Sequence, residues 1–197
     1  MTLRLFGIEV HFSFWFFAVF ACFASLSRGE LIFYFVLPII LHELGHIIVM
    51  GILGVKIRSI SLLAAGIEIR RKPGEIKSSW RECAVILAGA GANLAAAAVL
   101  YCCFFQSMRV MLMLSANVAV AIFNLLPIGD LDGGQLFSLI SERYFEPKTA
   151  YNLSRAVSFA ALAALFGLAI FLITIGWMNI TLLVISVYMI ARVVAKG

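Results

Sequence analysis

The stretch LHELGHIIVMGILG, Leu41 to Gly54, sets three ionisable side chains inside a run apolar enough to cross a bilayer. On a helix His42 and His46 are four residues apart and share a face, so both imidazoles can reach one metal ion. Glu43 lies three residues before His46 and can meet a water held at that ion. Ionisable groups inside a membrane span are costly, and their presence there is a functional signal by default.

Composition places the whole chain in the same setting. Hydrophobic residues make up 63% of the 197, charged residues 13%, and the mean hydropathy is +1.07. These values lie far outside the range of soluble globular domains, so the chain reads as an integral membrane protein. At roughly 20 residues per span it holds about six transmembrane helices and has no room for a separate soluble domain. The apolar runs place spans at about 11 to 27, 31 to 54, 83 to 105, 109 to 126, 153 to 175 and 177 to 195. The segment SERYFEPKTAYNLSR, between the fourth and fifth, reads as an interfacial helix or loop. The first span has a competing reading as a signal peptide, with Arg4 before the run and Ala24 after it, but no A-x-A pattern completes that signal.

Charge orders the spans. With a cytoplasmic N-terminus, 13 of the 15 basic residues fall on the cytoplasmic side, and only Arg28 and Arg109 fall opposite. This positive-inside bias predicts cytoplasmic N- and C-termini in a multi-pass protein. The net charge of +5 then reflects topology and attraction to the lipid bilayer's anionic headgroups, and no nucleic-acid partner is implied. Cys22, Cys83, Cys102 and Cys103 show no C-x-x-C spacing and read as packing residues.

A catalytic zinc needs three protein ligands and an open position. The two aspartates, Asp130 and Asp132, both sit in NLLPIGDLDGGQLF, directly after the fourth apolar run. Proline there ends the helix and the paired glycines permit tight turns, so the segment from Pro127 to Gln135 reads as non-helical, with a carboxylate aimed back into the bundle. The second span runs inward from about Leu31, which puts His42 and His46 roughly 16 to 22 Å along it, nearer the cytoplasmic end. The fourth span runs the same way, and the aspartates after it arrive at a similar depth.

In this order the motifs resemble the site-2 proteases, intramembrane zinc metalloproteases of the M50 class. HELGH matches the family's H-E-x-x-H, NLLPIGDLDGG resembles its motif ending in L-D-G, and GAGAN, Gly89 to Asn93, looks like its G-x-x-x-N element. GIEVHFSFWF is similar to the family's entry into the first helix. The resemblance implies Zn2+ held by His42, His46 and Asp132, with Glu43 as general base. It also implies a hairpin-like, partly re-entrant segment from Val55 to Arg81, between helices two and three of an otherwise all-α polytopic fold. Alternation of Ile67 and Ile69 with Glu68 and Arg70 has the period of a strand, and Gly66 fits a bend. An ordinary basic loop on the headgroups is the competing reading.

Asn93 has two candidate roles, a hydrogen-bond link between helices or a contact to substrate or oxyanion. Asn124 reads mainly as a brace for the broken helix before Pro127 and secondarily as a substrate contact, and His11 reads as structural. A membrane metal transporter or metal-sensing channel would also place histidines and an aspartate on facing helices. A protease with a glutamate as third ligand, such as Glu142, is another alternative. The closest resemblance is to the sporulation-type branch, which implies a membrane-associated protein substrate such as a sigma-factor precursor or an anti-sigma factor. It leaves room for inhibitory membrane partners. The expected organisation is one intramembrane domain over 1–197, with no PDZ or CBS domain.

Overall fold

The structure is a computed structural model and describes residues 2–5, 8–12, 29–63, 66–71, 79–104, 107–129, 131–176 and 180–195. Most of the expected first span, Cys22 and Asp130 lie outside these residues. Six helices are described: α1 (Gly29–Ile52), α2 (Ser79–Phe104), α3 (Met108–Asn124), α4 (Asp132–Tyr144), α5 (Pro147–Thr174) and α6 (Ile180–Ala195). Four strands join them: β1 (Thr2–Leu5), β2 (Ile8–Phe12), β3 (Ile57–Leu63) and β4 (Gly66–Arg71). The chain divides into two compact units, Met1–Phe123 and Asn124–Gly197.

In the first unit, α1 inverts the polarity of a soluble helix. Phe33, Leu37, Leu44, Ile48 and Ile52 are exposed, whereas Pro38, His42, Gly45 and Met50 are buried. Large apolar side chains outside and small or polar ones inside is the pattern of a helix surrounded by lipid. The helix stops at the end of the opening stretch for a local reason. Gly54 has φ +68°, and Val55 N–H bonds the Met50 carbonyl at 2.8 Å while Gly54 N–H bonds that of Gly51 at 3.1 Å. Those two bonds, with Met50 and Val55 packed together, make a Schellman stop that only the glycine's left-handed backbone permits without strain.

The buried face of α2 carries Val85, Ile86, Ala90, Asn93 and Ala97. Its small residues let α1 approach closely: a Cβ on Gly45 would stand 2.6 Å from the Ala88 carbonyl oxygen and 2.8 Å from Ala92 Cβ. Glycine and alanine at such a crossing replace the hydrophobic drive that lipid does not supply.

The chain leaves α1 directly into the sheet, whose strand order is β1-β2-β3-β4. β3 and β4 pair antiparallel, with Leu63 opposite Gly66, and β2 pairs parallel to β3, with His11 opposite Ser61. The sheet adds to the helical body two N-terminal strands that hydropathy does not reveal. His11 belongs to β2, where its imidazole lies 3.7 Å from the Glu9 carboxylate.

In the second unit, α5 packs against both α4 and α6, with Ile128, Leu162 and Met189 at its core. The segment expected to be non-helical through Gln135 is shorter than that, because α4 already begins at Asp132. Gly133 and Gly134 are helical, and they serve close approach where bending was expected. A Cβ on Gly134 would stand 2.6 Å from the Gly129 oxygen, and one on Gly133 would press on the Leu125 carbonyl. The turning residue is Gly129, at φ +35°. The expected interfacial segment splits in two, its start finishing α4 and its end, from Pro147, opening α5. Cys102 and Cys103 are exposed on α2, so they pack against no protein core, and Cys83 is half-buried.

Candidate metal centre

Helix α1 turns His42 and His46 toward α2, and α2 holds each ring at Nδ1. His46 Nδ1 lies 2.7 Å from the Val85 carbonyl oxygen, which can only accept. His42 Nδ1 lies 3.0 Å from Asn93 Oδ1, also an acceptor. Both rings therefore donate from Nδ1 and, when neutral, carry a lone pair and no hydrogen on Nε2. The two Nε2 atoms face one another at 3.2 Å. Neither carries a hydrogen, so their contact is not a hydrogen bond between neutral rings.

Two imidazole nitrogens at that separation suit a shared cation. Zinc–nitrogen bonds of about 2.0–2.1 Å at a tetrahedral angle put two ligand atoms about 3.3 Å apart. Gly89 keeps the place open: a Cβ there would stand 2.6 Å from His42 Nε2 and would press on His46 Nε2 as well. The donor set also fits zinc, which takes neutral imidazoles whose second nitrogen is hydrogen-bonded to a carbonyl or amide oxygen. On these grounds the residues fit the ion that their motif implies.

Asn93 is fully buried. Its Nδ2 donates to the Pro38 carbonyl at 2.9 Å and to Asn117 Oδ1 at 3.0 Å, which uses both of its amide hydrogens. No N–H remains for an oxyanion, so this geometry carries the interhelical link. Gly89 and Asn93, four residues apart on one face of α2, thus both serve His42, one by leaving space at Nε2 and the other by accepting from Nδ1.

Glu43 is half-buried on α1, beside the histidines in sequence. In the second unit Asp132 is 9% exposed, in the first turn of α4, where the helix dipole favours a carboxylate. Among the described residues, His42 and His46 are candidate metal ligands in the first unit, and Asp132 is one in the second. Asn124 is the last residue of α3, and Gly66 opens β4. Sequence reasoning missed Asn117 on α3 and Ser158 on α5. Asn117 is the one asparagine within the apolar body of its helix, the same signal that singles out Asn93. Ser158 Oγ accepts from Gly129 N–H at 3.0 Å and donates to the Ser154 carbonyl at 2.8 Å, tying the turn before Asp132 to α5. A serine in a helix gives no such signal.

Comparison with known protein families matches residues 30–110 and 105–168 to peptidase family M50. These segments cover most of the chain, and the chain belongs to that family. It is a zinc metalloprotease, and among the described residues two helices, Ser79–Cys103 and Pro147–Thr174, are long and apolar enough to cross a membrane. Among solved structures, the site-2 protease from Methanocaldococcus jannaschii has the same fold, with a TM-score of 0.67 and 22% identity over 96% of this chain and 92% of that one. No curated protein matches the chain.

Proposed function

We propose that His42, His46 and Asp132 hold the zinc, that Glu43 is the general base, and that the substrate is a membrane-associated protein cut in or near a transmembrane segment. The observation that carries this reading is the pair of Nε2 atoms that face one another 3.2 Å apart beside Gly89. Asp132 is supported as third ligand by its burial, which restricts the side chain, and by its place at a helix start, where the dipole favours a carboxylate. Zinc, when bound, lowers the pKa of a coordinated water and polarises the scissile carbonyl. Glu43 takes the water's proton and delivers it to the leaving amine. Val85 and Asn93 hold the imidazole protons at Nδ1 throughout.

A substrate helix hides its peptide bonds and must be extended before attack. β4 lies at one edge of the sheet and is open to pairing on one side, among the described residues. Substrate backbone adds to this edge, with Gly66 leaving room for its approach, and Asn124 braces the chain break before Pro127. The charge pattern supports cytoplasmic termini and a site near the cytoplasmic face. The sporulation-type resemblance supports a sigma-factor precursor or an anti-sigma factor as substrate.

Zinc content of Asp132→Ala beside Glu142→Ala tests the ligand set. The account expects loss in the first and retention in the second, and unchanged zinc in Asp132→Ala would reject it. Proteomics of membranes holding wild-type or Glu43→Gln protein tests the substrate class. Membrane precursors should accumulate only with the mutant, and no difference between the two would reject a membrane-protein substrate.

A further inference from the structure

One chain of hydrogen bonds runs from α3 through α2 to His42, and its direction is forced at every link. The Met113 carbonyl only accepts, so Asn117 turns its Nδ2 toward it, at 2.8 Å, and its Oδ1 toward α2. Asn93 must present Nδ2 to that oxygen, at 3.0 Å, and the Pro38 carbonyl makes the same demand at 2.9 Å. Asn93 then has only Oδ1 to offer His42 Nδ1, at 3.0 Å. An oxygen facing Nδ1 requires the proton there and leaves Nε2 bare.

We infer that Asn117 and Asn93 act together as a tautomer lock on His42. Asn117 is the positioning residue that keeps the Asn93 amide from turning its NH2 group toward the ring. This rests on the reading of His42 as a metal ligand. Were Asn93 flipped, its Nδ2 would face Nδ1, the proton would move to Nε2, and that nitrogen could no longer bind an ion. Asn93 and Asn117 are 0% and 2% exposed, so water cannot stand in for either amide. Pro38 alone supplies the remaining constraint, which makes Asn117 the weaker member of the lock and Asn93 the stronger. A link that merely glued three helices together would change stability and leave the ring proton where it is.

The test is nitrogen NMR of the metal-free full chain in detergent micelles at mildly alkaline pH, with its three histidines 15N-labelled in the ring. Wild-type protein should show His42 and His46 protonated at Nδ1. Asn117→Leu should move part of the His42 population to the Nε2–H form, and Asn93→Leu more of it. His46, which depends on Val85, should stay unchanged and report that α1 and α2 remain packed. Zinc affinity should fall about tenfold in Asn117→Leu and about 100-fold in Asn93→Leu, the span usual for groups that orient a ligand. Should Asn117→Leu disturb His46 as well, Asn117→Ala, which adds no bulk, is judged by the same comparison. A wild-type His42 protonated at Nε2 would overturn the lock, as would an Asn117 variant with unaltered His42 tautomer and zinc affinity. Wild-type protein with His42 protonated at Nδ1 but no zinc binding would support the lock and count instead against the metal reading.

Discussion

Gly89 and His42 are so close that a Cβ on the glycine would stand 2.6 Å from the imidazole Nε2, and the same Cβ would press on His46 Nε2. The rings cannot swing clear without giving up their Nδ1 bonds to Asn93 and Val85. The Gly89→Ala protein should therefore fold and reach the membrane but lose zinc, measured as metal per protein after purification. Stoichiometric zinc in that variant would mean that the ion does not sit between the two Nε2 atoms. Gly91, in the same motif, has nothing within 4 Å of where its Cβ would be, so Gly91→Ala is the matched control and should keep its metal.

Gly45 makes a separate prediction about packing. Because its missing Cβ would lie 2.6 Å from a backbone oxygen of α2, Gly45→Ala forces the helices apart. The expected cost is about 1–3 kcal/mol, read as a lower midpoint of thermal unfolding in detergent. An unchanged midpoint would show that α1 and α2 do not cross as closely as described.

Much of this was legible in the residues. The paired histidines and Glu43 announced themselves because ionisable groups are out of place in an apolar run, and the second to sixth expected spans overlap described helices, with the fifth beginning earlier, at Pro147; the first lies outside the described residues except for His11 and Phe12, which belong to β2. The two N-terminal strands were not legible: they are only 4 and 5 residues long, and although β2 pairs locally with β1, its place in the sheet rests on parallel pairing with β3, some 50 residues on, which leaves no local period. The glycines after Asp132 were read as a turn because Asp-Gly-Gly favours one; the requirement that α4 pass close to the Leu125 and Gly129 carbonyls is a tertiary fact. Asn117 carried a signal as strong as that of Asn93, but its value appears only once its bond to Asn93 is known.

Ser158 should matter to the turn that precedes Asp132. Ser158→Ala removes the acceptor of the Gly129 N–H and should destabilise the turn by about 1 kcal/mol. Hydrogen exchange should quicken at residues 126–131 relative to wild type, with the α1 amides unaffected. Equal exchange in both proteins would remove Ser158 from the account.

Metal removal supplies a further check. Dialysis against a chelator should abolish peptide cleavage, and zinc should restore it without refolding, because the Nδ1 bonds to Asn93 and Val85 that hold both histidine rings do not involve the ion. Activity that survives complete loss of zinc would refute the metal chemistry.

The most direct measurement pairs zinc content with cleavage of a membrane-embedded reporter in wild-type and Glu43→Gln protein. The amide cannot accept a proton, so the variant should retain full zinc while its cleavage rate falls by at least about 10²–10⁴-fold. Full proteolysis by the zinc-loaded Glu43→Gln protein would contradict the assignment of Glu43 as the base, and with it the account's central claim.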